Sequence, residues 1–160
     1  MYKIKILSKV FYGNCYDILS EKNEDFNYFK NLGWSKNQFK LQLSKEVNYS
    51  LALFKDNIMI GFVIGDLITI EKYVEYEILL IYVIPNVRRL GYATKLIKKI
   101  TTFLKKNTLK KIYLEVSENN KGAIRLYKKN DFIQVGLRKN YYRINDQQFN
   151  AILLEKKTDD

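Results

Sequence analysis

Polar and apolar residues alternate from Tyr2 to Leu7, which predicts a first strand. Phe11 to Ser20 carries a weaker pattern and is read as a helix, and Ser35, directly after Trp34, stands where it can N-cap a helix carrying Phe39, Leu41 and Leu43. Strands follow near Ser50 to Lys55 and Met59 to Ile68, joined by the hairpin-like pair Asp56-Asn57. Glu77 to Ile84 is a third strand of this group; its apolar run from Ile78 ends at Pro85 and suits burial. After Pro85 the period becomes helical. Ala93, Leu96, Ile97, Ile100 and Leu104 share one face, while Lys95, Lys98, Lys99, Lys105 and Lys106 take most of the others. Lys111 to Val116 reads as a strand, Ala123 to Lys129 as a short helix, and Ile133 to Tyr142 with Phe149 to Lys156 as a closing strand pair. The order predicts an α/β chain with a mixed sheet. No linker, repeat or low-complexity stretch divides it, so residues 1–160 are expected to form a single domain.

A chain of 160 residues can bury roughly two-thirds of its unfolded surface and needs no covalent staples. Cys15 is the single cysteine and histidine is absent, so no intramolecular disulfide forms and the commonest zinc ligand is missing. A reducing compartment and no metal are expected. No stretch approaches the ~18 to 20 apolar residues of a membrane helix, and the N-terminus lacks a signal-peptide apolar core, so the expectation is a cytoplasmic protein without a membrane role.

The 28 basic residues outnumber the 17 acidic ones, for a net charge of +11. The lysines are spread along the chain, as on a solvated surface. No Cys/His or RNP-like motif accompanies them, and no direct nucleic-acid role is expected. The arginines are more localised. Arg88 and Arg89 are adjacent in one turn, and guanidinium is the better bidentate partner for phosphate.

That turn leaves a buried strand and enters the amphipathic helix as Arg88-Arg89-Leu90-Gly91-Tyr92-Ala93-Thr94. Gly91 permits close backbone approach, Ala93 is small, and the N–H groups and dipole of a helix start favour an anion such as a pyrophosphate. Alone, the turn reads equally well as an ordinary helix start. It has neither Gly-x-x-x-x-Gly-Lys-Ser/Thr nor Gly-x-Gly-x-x-Gly, which disfavours a nucleotide triphosphatase and a dinucleotide site.

Together with Leu114-Glu115-Val116 and the run from Asn119 to Phe132, the turn resembles the GNAT acyltransferase superfamily. Glu77 to Val83, Arg138 to Tyr142 and Trp34-Ser35 resemble, more narrowly, the RimI-type N-terminal acetyltransferases, which modify a ribosomal protein. The resemblance runs from about Trp34 to the C-terminus. It implies a GNAT-like fold of about seven mostly antiparallel strands, a parallel central pair and about four helices. The chain departs from the family pattern at Leu80, Tyr82, Ser117 and Asp131. Aspartate tolerates the left-handed backbone of the glycine that Asp131 replaces better than most residues do.

The resemblance also implies roles. Acetyl-CoA would be the co-substrate, held by Ile81, Tyr82 and Val83 on the strand edge, by Arg88, Arg89, Leu90, Gly91, Tyr92, Ala93 and Thr94 at the pyrophosphate, and by Asn120. Glu115 would be the general base and Tyr127 the general acid in direct attack of an amine on the thioester. Trp34, Glu77, Tyr141 and Tyr142 would meet the acceptor, expected to be a protein N-terminus, that of a ribosomal protein included. A monomer or weak dimer is expected. From the residues themselves, Glu115 also reads as a wet-face residue, Tyr127 and Trp34 as core aromatics, and Tyr141-Tyr142 as a strand pair. A small amine or a lysine side chain as acceptor, or a non-catalytic CoA-binding module, are the competing readings.

Overall fold

The computed structural model describes residues 1–158. Strands β1 (Tyr2–Ile6), β2 (Leu51–Lys55), β3 (Ile58–Ile70), β4 (Tyr73–Val83), β5 (Leu109–Ser117), β6 (Ile133–Ile144) and β7 (Gln147–Lys157) form one sheet in the order β1-β2-β3-β4-β5-β7-β6. Neighbours are antiparallel except β4 and β5. The β2–β3 turn has Asp56 at φ 49° and Asn57 at φ 66°, both in the left-handed region that a tight two-residue hairpin requires.

The helices are α1 (Tyr12–Ser20), α2 (Asn23–Asn31), α3 (Lys36–Leu43), α4 (Tyr92–Lys105) and α5 (Lys121–Lys129), five among the described residues rather than about four. The additional one is α2. It has no fully buried residue, and the side chain of its N-cap, Lys22, makes no capping bond, so little in its local sequence announces it. Ser35 does cap α3, its Oγ accepting from the Gln38 N–H at 3.1 Å. Strand β4 begins at Tyr73, four residues before the expected Glu77, because Glu75 and Glu77 lie on a half-open face that broke the apolar run.

The sheet carries a core on each face. On one, Tyr76, Ile78, Ile112, Leu114 and Leu154 pack against Leu96, Ile97, Ile100 and Leu104 of α4 and Ile124 and Tyr127 of α5. Burial of one such aliphatic side chain contributes ~1.5–3 kcal/mol. On the other, Phe62, Ile64, Leu80 and Tyr82 lie under Cys15, Leu19, Phe39 and Leu43 of α1 and α3.

A register shift between Ile64 and Gly65 leaves Leu79 as an extra residue in β4. It reverses the parity of the strand: Glu75 and Glu77 share a face with Leu80 and Tyr82, whereas Tyr76 and Ile78 share the other with Ile81. Gly65 is required at this irregularity. A Cβ there would come within 2.3 Å of the Tyr76 Cζ and Oη and 2.5 Å of the Glu77 carbonyl oxygen. Gly65→Ala is therefore expected to destabilise the fold by ~1–3 kcal/mol, the range for overpacking a tight core. An unchanged urea midpoint would show that the bulge yields freely.

The parallel pair positions everything that follows. β4 and β5 are in register only from Val74 to Glu77 against Leu109 to Tyr113. Beyond that point β4 continues alone on this edge to Val83, while β5 runs on beside β7 to Ser117, so the two strands diverge.

Candidate active site

Helix α4 starts without a side-chain cap. Gly91 is its N-cap at φ 83°, Arg89 just before it is at φ 64°, and the first turn holds no acidic residue. The N–H groups of a first helical turn have no intrahelical acceptor. Here they open into a cavity of about 750 Å³ in the gap between the diverging strands. Helix α5, on the opposite wall, is capped: Asn120 Oδ1 accepts from the Ala123 N–H at 3.2 Å.

The cavity brings together nearly the whole set of predicted cofactor residues. Ile81, Tyr82, Val83, Arg88, Arg89, Gly91, Tyr92, Ala93, Thr94 and Asn120 all line it. Leu90 does not line it and is 61% exposed. An uncapped helix start, a left-handed glycine with open space beyond its Cα and Arg89 in the lining fit a pyrophosphate.

Val83 offers the strand edge. Ile84 donates its N–H to the Ile60 carbonyl at 3.0 Å, so Val83, one residue earlier, turns its own N–H and C=O to the opposite edge, into the gap. Its carbonyl accepts from Arg88 Nε at 2.8 Å. The rest of the Arg88 guanidinium is also engaged: Nη2 donates to Asp25 Oδ2 at 2.7 Å and the group lies 5.3 Å from the centre of the Tyr82 ring. Arg88 thus faces α2, while Arg89, Arg125 and Lys129 also bring positive charge to the cavity lining.

On the far side of the divergence lies a carboxylate-bearing sheet face. Glu77 is paired in register with Asp66 of β3 and Tyr113 of β5, and Glu115 stands two residues along β5. Arg138 Nη2 meets Glu115 Oε1 at 3.0 Å. Burial, then the charges of Asp66 and Glu115, raise the Glu77 carboxyl above the ordinary carboxylate range. Burial, followed by Glu77, Glu75, Asp66 and Glu115, pushes the Tyr113 phenol up to about 12.

Tyr127 is buried, its ring edge-on to Phe132 at 5.4 Å. Burial raises its phenol well above the ordinary range, with smaller contributions from Tyr28 and Tyr142. Tyr142 is itself raised, by burial first and then by Glu115. The charge of Glu115 is thus felt at Tyr142, and that of Tyr142 at Tyr127. Tyr141 is exposed, edge-on to Tyr142 and under the Arg138 guanidinium. Trp34 is 9% exposed and packs on Phe39 at 5.0 Å in the second core, away from the cavity.

Three cavity residues come from α2 and were not foreseen: Asp25, Tyr28 and Phe29. The only local hint is the acidic pair Glu24-Asp25, which suits the first turn of a helix.

Residues 15–132 match the acetyltransferase (GNAT) family. N-alpha-acetyltransferase RimI of Mycobacterium tuberculosis is 27% identical over 112 residues, covering 70% of this chain and 69% of that protein. A ribosomal protein bS18-alanine N-acetyltransferase of Haemophilus influenzae is 32% identical over 93 residues, covering 58% of this chain and 60% of that protein. Among solved structures, the ribosomal-protein-S18-alanine N-acetyltransferase of Escherichia coli superposes with a TM-score of 0.83 at 24% identity, over 98% of this chain and 94% of that one. Arabidopsis thaliana NAA60, solved with a bisubstrate analogue, gives 0.80 at 20% identity, over 98% of each chain. With the diverging parallel pair, the uncapped α4 and the sequence match over most of its length, the chain belongs to the GNAT acetyltransferase family and is an acetyl-CoA-dependent N-acetyltransferase.

Proposed function

We propose that the enzyme acetylates the N-terminal α-amine of a protein, with a ribosomal protein as the leading acceptor, in keeping with its RimI-type relatives. The observation that carries this reading is the divergence of β4 and β5, with an anion-type cavity at one side and the Glu77–Glu115 carboxylates at the other. A protonated amine is attracted to such carboxylates, and a terminal backbone can continue past them along Tyr141 and Tyr142.

When bound, acetyl-CoA supplies an activated thioester and a thiolate leaving group. The amides of α4 and Arg89 would hold the pyrophosphate, and the outward N–H of Val83 would be the donor for charge developing on a carbonyl oxygen. Arg138 engages Glu115 Oε1, leaving Oε2 to take the proton of the amine. Tyr127 stays a neutral phenol because its burial disfavours phenolate, so its role is to donate rather than accept a proton.

The proton balance favours an α-amine. Its pKa is near ~8 against ~10.4 for lysine, so at neutral pH the free base is over a hundredfold more abundant. Matched peptides test this, one with a free N-terminus and no lysine, the other blocked and carrying lysine. Mass spectrometry is expected to show at least ~10-fold faster acetylation of the first. Equal or faster modification of the blocked peptide refutes the acceptor assignment.

A further inference from the structure

The cavity assigned to a pyrophosphate has a carboxylate in its wall, that of Asp25, which works against an anion unless it has another task. Its contacts define that task. Asp25 Oδ2 accepts from Tyr82 Oη and from Arg88 Nη2, each at 2.7 Å. Arg88 in turn donates through Nε to the Val83 carbonyl at 2.8 Å and stacks over Tyr82. The phenol of Tyr82, driven up by burial and by the Asp25 bond, remains a donor. Three residues after Asp25, on the same face of α2, Tyr28 lines the cavity with Asn120, the N-cap of α5, and its phenol is influenced by the side chains of Asn120 and Ser117. Helix α2 is therefore tied through Asp25 to the β4 wall of the gap, with Tyr28 facing the other wall.

We propose that Asp25 is a positioning residue for acetyl transfer: it fixes Arg88, and through Arg88 the carbonyl of Val83, the residue whose own N–H, in the preceding peptide group, faces the reacting carbonyl. A strand end that pairs with nothing on its outer edge can twist about its last peptides. The Asp25–Arg88–Val83 chain restrains that twist from the carbonyl side, leaving the N–H aimed into the gap. On this account Arg88 acts within the protein, and the phosphate charge is met by the α4 amides and the other cations of the lining, Arg89, Arg125 and Lys129. The proposal rests on reading the gap as the site where co-substrate and acceptor meet.

The test uses the full chain with Asp25→Asn, Arg88→Gln and the double variant, measuring steady-state transfer, calorimetric acetyl-CoA binding and thermal midpoints. Each single variant is expected to lower kcat by ~10-fold or more, since small misplacement of a reacting group is enough for that. The acetyl-CoA Kd should move by less than about threefold, and the double variant should be no worse than the poorer single one, because both break one chain of contacts. Asp25→Glu, which keeps the carboxylate, should recover part of kcat with a thermal midpoint like that of Asp25→Asn. Unchanged kcat in Asp25→Asn, losses that multiply in the double variant, or an Arg88→Gln defect confined to Kd would each overturn the proposal. Failure of the acceptor reading appears in the wild type, as absent transfer to a free N-terminus. Failure of this proposal appears only as a difference between variant and wild type, with whichever amine the wild type accepts.

Discussion

Glu115→Gln and Tyr127→Phe are each expected to lower kcat by ~100- to 10,000-fold while leaving acetyl-CoA affinity nearly unchanged. Neither side chain lines the cofactor cavity, so neither contributes to holding the co-substrate. Glutamine preserves the shape of Glu115 and can still accept from Arg138, but it cannot take a proton. Phenylalanine preserves the packing of Tyr127 against Phe132 and removes only the hydroxyl. The two variants therefore separate chemistry from binding and from folding. Thiol release under saturating peptide, beside calorimetric titration with acetyl-CoA, reads both quantities. Near-wild-type turnover in both variants would leave the proposed proton transfers without their groups, and a large change in Kd would move these residues into the binding site instead.

The second large effect is expected from Gly91→Val, which should weaken acetyl-CoA binding by ~10- to 100-fold. At φ 83° an L-residue is strained whatever room it has, and the open space beyond Gly91 shows that a clash within the free protein is not the reason. Relief of the strain requires the backbone to rotate, which re-aims the first-turn amides of α4. Loss of even one hydrogen bond to a charged group costs ~1.5–3 kcal/mol, and ~1.4 kcal/mol is tenfold in Kd. Calorimetry decides the matter. An unchanged Kd with a normal thermal midpoint would remove the α4 amides from the phosphate site.

Periodicity sufficed wherever one face of an element meets the core and the other meets water. The helical spacing from Ala93 to Leu104 became α4, with Leu96, Ile97, Ile100 and Leu104 buried, because a single apolar stripe on a lysine-rich helix has only one way to pack. Ser35 became an N-cap and Asp56-Asn57 a hairpin turn, since both depend on short-range backbone chemistry. Asp131 likewise occupies the left-handed region, at φ 68°, where the family pattern carries glycine. Half of the cavity lining was legible for a similar reason: apart from Asn120, the expected residues lie within a few positions of one strand end and one helix start.

What crosses the chain at long range was not legible. α2 is polar, without a fully buried residue, and is held by contacts at Tyr82 and Arg88, 57 and 63 residues away from Asp25. Tyr82 stands out in the sequence as a departure from a family pattern and an expected cofactor residue, whereas in the fold it is also a bonding partner of α2. Trp34 illustrates the converse, because a tryptophan before a capping serine has the same sequence whether it faces an acceptor or, as here, Phe39. Local chemistry thus determined the strands, the main helix and the glycine-bearing turn that starts it. Tertiary structure decided which side chains face one another across the diverging β4 and β5, because strand divergence depends on where pairing stops and no residue in either strand encodes that alone.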